Sequence, residues 1–508
     1  MIPSKIQDVF TRIRTNGENG AIKIETPDLV HTTHEIVDMI MLMNSEEKPA
    51  LYMVRPDRIT EYFWDRADWG QPQELSIEKS LETVEKSRNT LAVFIFWDIA
   101  QRLDDRDGQP SVRCFIPQFL LSPKATRKFL VFLEPLGTQY PNIVAPYISS
   151  VTELYPSREE LIPMVRREML QAKIELSDKE AELSSALLGL TYTGSQQMLR
   201  IALDRCKDNM DIQKGLLDYL NRQKEEILAH TLGMSILKPT SDDIPYGLDF
   251  LMEDLKVHSH LICAEGQDRE KGWLLIGTPG SGKSLLAKYL GYQLGYPAIS
   301  FNISSIMNSL VGQTEKNMYN LCKVLETFAP CVFYMDEFEK AVSSGHEMDG
   351  GTMTRAMGIL FTWLNDTNAP IFLLASANNL DPQHGLALTR KGRFSQIYWV
   401  GEPCYEARHK ISKANFERKG VNVPENLIKE LSEKTCYFSG ADLVWLINEV
   451  IVESRHYKYS PDSEQFKNRL MELVDENRGR VETMKAQYDP LRNWARAYCK
   501  PAGLPPEK

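Results

Sequence analysis

From about residue 240 onward the chain alternates short apolar runs with stretches of helical periodicity. The order is WLLIG, a helix over 283–294, PAISFNI, a helix over 314–327, CVFYMDE, a helix over 352–365, IFLLASAN and IYWVGEP. Runs of roughly four to eight residues without a polar face read as strands buried on both sides. Their alternation with helices predicts a parallel sheet covered on both faces. After Glu402 the strand signal stops. Periodic helices over 406–418, 425–434 and 441–454 predict a small helical lid, and the last stretch reads as helices followed by a Pro-rich tail.

The N-terminal half repeats this layout more faintly. AIKIET, ALYMVRP, TLAVFIFWD and RKFLVFLEP are strand-like, and THEIVDMIMLMN has helical spacing. The first residues, MIPSKIQDVFTRIR, predict an amphipathic helix with Ile6, Phe10 and Ile13 on one face. LAVFIFWD can be laid on CVFYMD, ISSVTELYPSREE on IYWVGEPCYEA, and LTYTGSQQMLRIAL on CYFSGADLVWLINEV. This keeps their order and matches Asp98 to Asp336, Glu153 to Glu402 and Gly194 to Gly440. Two readings stand: a degenerate copy of the second half, or an unrelated α/β domain. Either way the segment ETPDLVHTTHEI has no glycine loop and no lysine, and Asp98 is followed by Ile99 instead of a carboxylate.

A chain of 508 residues is too long for one core. The expected division is an N-terminal α/β domain over 1–157 and a helical segment with linker over 158–238. A sheet-bearing domain follows over 239–402, then its lid over 403–458 and C-terminal helices and tail over 459–508. Lys and Arg number 59 against 69 Asp and Glu, a net charge of -10 that disfavours a general nucleic-acid binder. The most apolar stretch, 91–100, is short of a bilayer span and contains Asp98, so no transmembrane segment is expected. Eight cysteines without a C-x-x-C pair, some inside apolar runs such as Cys263 and Cys331, fit a reducing, cytoplasmic compartment. Their spacing gives no zinc site.

The chemistry concentrates in Gly277-Thr278-Pro279-Gly280-Ser281-Gly282-Lys283-Ser284, between a predicted strand and a predicted helix. Glycines let successive N–H groups turn toward phosphate oxygens, and the helix start adds its positive end. Lys283 can reach the β- and γ-phosphates, and Ser284 can hold Mg2+. The strand CVFYM ends in Asp336-Glu337, 53 residues after Lys283. A buried strand ending in two acids matches a metal-holding Asp336 and a general base in Glu337. Asn378, with Asn379 as fallback, follows the next strand and can orient water against the γ-phosphate. Arg390 and Arg393 lie beyond that strand. There they would serve a neighbouring subunit's nucleotide, an effect of order 10³ or more in rate, or else form surface ion pairs.

The loop GTPGSGKS, the pair in MDE, LASANN, the block LDPQHGLALTRKGRF and the string FSGADL occur in the order of the AAA ATPases, which the chain resembles over about 240–455. DGGTMTRAMGILFTWLND, LRNWARAYCKPA and the strand-rich first half are similar to the AAA proteins named after hypothetical chloroplast reading frame forty-six. That resemblance implies an α/β fold whose C-terminal P-loop AAA module, a parallel sheet plus helical lid, follows an N-terminal α/β domain. It also implies a place beside the adenine for the segment from Asp243 through Ile244 to Gly247, closed by Gly440 and Ala441, and rings that are commonly hexamers. A plastid relative would place the protein in the stroma. The pore-loop positions of threading members fall on Leu310, Val311 and Gly312, without the aromatic residue, and RKGRFS lacks the usual proline and aspartate at Lys391 and Ser395. The expected activity is ATP hydrolysis with Mg2+ to remodel or regulate a protein partner. The alternative is a nucleotide-gated scaffold or switch with slow hydrolysis.

Overall fold

The computed structural model describes residues 20–42, 48–63, 65–86, 91–100, 110–120, 128–173, 180–206, 212–238, 240, 242–262, 264, 266, 268–303, 313–343, 352–379 and 394–507. The chain divides into two compact units, Met1–Lys224 and Glu225–Lys508. The N-terminal amphipathic helix, Cys263, Leu310, Val311, Gly312, Lys391, Arg390 and Arg393 lie outside the described residues.

The first unit holds the strands β1 (Gly20–Glu25), β2 (Ala50–Arg55), β3 (Arg58–Phe63), β4 (Asp68–Trp69), β5 (Gln73–Glu74), β6 (Ala92–Trp97), β7 (Lys128–Glu134) and β8 (Ser149–Thr152). They lie in the order β4-β3-β2-β6-β7-β1-β8, with β5 beside β3. Side chains alternate across the sheet. Ile22, Ile24, Val93, Ile95, Val131 and Leu133 meet Ile36, Val37 and Ile40 of the helix Leu29–Met41. Phe94, Phe96, Leu130 and Phe132 meet Leu81, Val84, Phe115 and Phe119 on the other face. The antiparallel additions β3 to β5 are absent from the sequence reading. RITEYF carries only a half-buried, alternating signal after the two-residue turn Pro56-Asp57. After β8, the helices Arg158–Gln171, Glu180–Leu187 and Tyr192–Cys206 and the start of Ile212–Leu232 form their own core around Leu161, Val165, Leu187, Leu199 and Leu216.

The second unit adds β9 (Met234–Leu237), β10 (Gly272–Gly277), β11 (Ala298–Asn302), β12 (Cys331–Asp336), β13 (Ile371–Ala377), β14 (Gln396–Val400) and β15 (Lys500–Pro501). Their order is β15-β14-β10-β13-β12-β11-β9. Every strand from β10 to β14 pairs in parallel, as the alternation with helices requires. Trp273, Leu275, Tyr334, Phe372, Leu374 and Tyr398 pack against Leu251, Leu255, Leu286 and Leu290. The lid helices Tyr405–Arg418, Glu425–Lys434 and Gly440–Tyr457 share a separate core with Phe466 and Leu470.

The expectation that strands end at Glu402 is corrected by β15. Two exposed residues, one of them proline, carry no apolar signal, yet they pair in parallel with β14, and Ala502 N–H donates to Trp399 O at 2.9 Å. The expected C-terminal helices are one helix, Glu464–Tyr498, running through Pro490. Arg469 braces it with ion pairs to Glu453, Glu472 and Glu476.

Counted by occurrence, β1, β2, β6, β7 and β8 of the first unit lie in the same order as β10 to β14 of the second, 5-1-4-3-2. Registers refine the internal alignment. Glu25 faces Thr152 as Gly277 faces Val400, so Glu153 matches Gly401 and not Glu402. The helix starts at Tyr192 and Gly440 match Thr191 to Ser439, two residues from the sequence alignment.

Candidate active site

The turn from β10 into the helix Lys283–Leu294 is shaped by its glycines. A Cβ on Gly277 would stand 1.9 Å from the Val400 carbonyl oxygen, and Gly280 and Gly282 take φ of +74° and +94°. Those left-handed angles curl the backbone around the helix start without the steric cost a side chain would add. Inside the curl, the Lys283 amine is buried and donates to the Gly277 and Thr278 carbonyls at 3.0 and 2.7 Å. Burial pushes its pKa down to about 8, partly countered by the charges of Asp336 and Glu339. Ser281 is tied to the Thr278 carbonyl at 2.7 Å, whereas Ser284, in the first helical turn, is exposed.

The acidic strand end lies on the same sheet edge. Asp336 Oδ1 accepts the Ser376 hydroxyl at 2.5 Å and the Glu337 N–H at 2.9 Å, while Tyr334 donates to Ser376 at 2.9 Å. Neighbouring strands thus fix one oxygen of Asp336. Glu337 has φ of 51°, the left-handed region, and its half-exposed carboxylate pairs with Lys340 at 2.5 Å. Asn378 directly follows β13, and its backbone N–H donates to Glu339, a carboxylate the sequence reading missed. Burial raises the Glu339 pKa, and the charges of Glu337 and Asp336 add to the rise. The structure therefore gathers the loop, Asp336, Glu337 and Asn378 at one edge. A serine hydroxyl and a carboxylate are the oxygen donors a hard cation such as Mg2+ takes.

Beside the loop opens a cleft of about 450 Å³ lined by Ile244, Gly247, Gly280, Gly440 and Ala441, together with Trp445 from the lid. Ala441 N–H donates to the Gly280 carbonyl at 3.2 Å, so the lid touches the loop. Gly247 has φ of +87°. The C-terminal tail supports this wall in a way that sequence spacing did not reveal. A Cβ on Gly503 would fall 1.9 Å from Gly247 O, and Leu251 N–H donates to Ala502 O at 3.0 Å. A second cavity of about 210 Å³ lies against Thr278 and Gly280, with Asp442 of the lid and Arg480 of the long helix on its wall.

Residues 273–402 match the family described as ATPase family associated with various cellular activities (AAA). They form an AAA domain. The chain as a whole resembles proteins described as uncharacterized AAA domain-containing protein ycf46. It is 26% identical to that of Guillardia theta over 348 residues, 66% of this chain and 67% of the relative. With that of Gracilaria tenuistipitata var. liui it is 25% identical over 458 residues, 86% of this chain and 91% of the relative. The ATP-dependent zinc metalloprotease FtsH of Ralstonia pickettii is 32% identical over 216 residues, 40% of this chain and 29% of that one. The AAA domain thus spans β10 to β14 and ends just before the lid. Among the described residues, no helix is long and apolar enough to cross a membrane.

Proposed function

We propose that the second unit hydrolyses ATP with Mg2+ and uses turnover to remodel or regulate a protein partner. The observation that carries this reading is the buried Lys283 amine inside the glycine turn, on the same sheet edge as Asp336, Glu337 and Asn378. In this reading Gly277 to Ser284 bind the phosphates, and Ser284 and Asp336 hold the metal, which would neutralise phosphate charge. Glu337 takes the proton of the attacking water, which Asn378 orients. Ile244, Gly247, Gly440 and Ala441 enclose the base. Arg390 and Arg393 complete a neighbour's site in a homo-oligomeric, hexameric ring in the cytoplasm or stroma, and the first unit serves as a recruitment or ring-building module. Glu337→Gln should retain ATP and stop hydrolysis, and Lys283→Ala should weaken ATP binding. Equal turnover in wild type and Glu337→Gln would reject Glu337 as base. Mixing Arg390→Ala/Arg393→Ala subunits with Lys283→Ala subunits should restore some activity, and no recovery at any ratio would count against a shared site.

The Glu337–Lys340 pair favours a second reading, a nucleotide-gated scaffold or switch. A carboxylate held by an ammonium has to be released before it can take a proton from water, which fits slow hydrolysis. A remodeller's turnover rises several-fold with its partner, whereas a switch binds that partner in only one nucleotide state.

A further inference from the structure

The first unit shares more than strand order with the AAA domain. β1 runs from Gly20 into Thr26-Pro27 as β10 runs from Gly272 into Thr278-Pro279, at the same spacing. Past the proline the two diverge. The second unit places Gly280, Ser281 and Gly282 before its helix starts at Lys283, whereas the first has Asp28 alone before Leu29. The helix starts therefore match Leu29 and Val30 to Lys283 and Ser284, which leaves neither an ammonium nor a metal-binding hydroxyl there.

Asp28 is buried, and its carboxylate collects three donors: the His31 N–H at 3.0 Å, the Thr193 N–H at 2.7 Å and the Thr193 hydroxyl at 3.1 Å. The first belongs to the start of the helix Leu29–Met41 and the others to the start of Tyr192–Cys206. Thr191 caps the latter helix by accepting the Gly194 N–H at 3.1 Å. Thr193 thus holds the place of Ala441, the second residue of its helix, whose N–H reaches the Gly280 carbonyl. Both units make the same contact from the helical part to the loop. In the first unit it ends on a carboxylate.

We infer that Asp28 is a built-in anion that takes the place of nucleotide phosphate in the first unit and latches its helical part to its sheet in every nucleotide state. Two helix starts, each carrying partial positive charge, converge on this one side chain. The surroundings repel a second anion. Glu153 accepts the Thr32 hydroxyl at 2.5 Å, and Glu25 accepts the Gly137 N–H at 3.0 Å beside its ion pair with Lys23. His31 stacks on Tyr192 with ring centroids 3.9 Å apart, closing the seam further. The first unit consequently binds no nucleotide and moves as a fixed body while the second cycles. This goes beyond the ATPase proposal and does not depend on hydrolysis.

The test uses the full chain. Hydrogen exchange in peptides covering 190–206 should speed up at least about tenfold in Asp28→Ala, and about 50 mM inorganic phosphate should restore protection there while leaving wild type unchanged. Unchanged exchange in Asp28→Ala, or no restoration by phosphate, overturns the inference, because a merely structural contact would not be replaced by a free anion. Should Asp28→Ala fail to fold, Asp28→Asn keeps the helix cap without the charge. It must show the same direction of change; wild-type exchange in that variant overturns the latch. ATP titration of Lys283→Ala supplies a second arm. No saturable binding is expected, and one ATP per chain with protection over 26–33 would overturn the inference. A wild-type chain that binds no ATP would sink the ATPase proposal and leave the exchange result standing.

Discussion

Raising the pH should weaken nucleotide binding through Lys283 by a calculable amount. Burial holds its pKa at about 8, from an ordinary 10.5, with only partial compensation by Asp336 and Glu339. A bound polyphosphate supplies the missing counter-charge and returns the amine toward full protonation. The free site loses its proton above about pH 8 and the bound site keeps it, so binding takes up a proton, and affinity falls as pH rises through about 8. One unit above the pKa, about nine-tenths of free amines are neutral. Kd should therefore rise about tenfold between about pH 7 and pH 9, or about 1.4 kcal/mol. Titration calorimetry in buffers of different ionisation heat should show about half a proton taken up at about pH 8. Lys283→Arg should flatten the profile, because guanidinium stays charged across this range. A wild-type Kd that is constant over the same interval, without proton uptake, would refute the reasoning.

Glu134, at the end of β7, accepts the Ile99 N–H and the Tyr140 hydroxyl, and burial raises its pKa to about 7 from 4.5. The unfolded carboxyl ionises first, so this group's contribution is fully present below about pH 4.5 and is lost as pH rises through about 7. Glu134→Gln should stabilise by up to about 3 kcal/mol at about pH 8 and change little at about pH 4, read from urea midpoints of the full chain. Gly503→Ala should press on Gly247 O, cost about 1–3 kcal/mol of stability and raise the nucleotide Kd. Thermal unfolding and equilibrium titration would check both effects, and unchanged affinity would remove the tail from the pocket's support. Arg492 donates twice to buried Glu402, at 2.9 and 3.0 Å. Arg492→Met should cost about 3 kcal/mol by stranding that carboxylate, and adding Glu402→Gln should recover part of it in the same denaturation assay.

Legibility followed the range of the forces involved. β10, β12 and β13 are runs buried on both faces, so apolar length alone located them, and the turn at Gly277 to Lys283 was readable because glycine spacing and a following helix are local features. β15 was invisible because its pairing uses backbone groups of exposed residues. Glu339 escaped notice because its position beside Asn378 depends on how β12 and β13 lie together. Ser376 is an ordinary strand residue until the sheet sets its hydroxyl 2.5 Å from Asp336. Residue matches in the internal alignment slip by one at β8 and by two at Tyr192, since pairing register is a property of the folded sheet.

By itself the sequence determined which stretches become buried strands and helices, that a phosphate-type glycine turn follows one of those strands, and that an acid pair ends another. Both are set by side-chain polarity and backbone freedom within a few residues. Only the tertiary structure decided that the two units share a strand order, that the tail braces Gly247, and that Asp28 receives Thr193 from 165 positions away. Those contacts join groups whose separation along the chain carries no local signal, and they form only once the apolar faces have packed and brought the polar ends together.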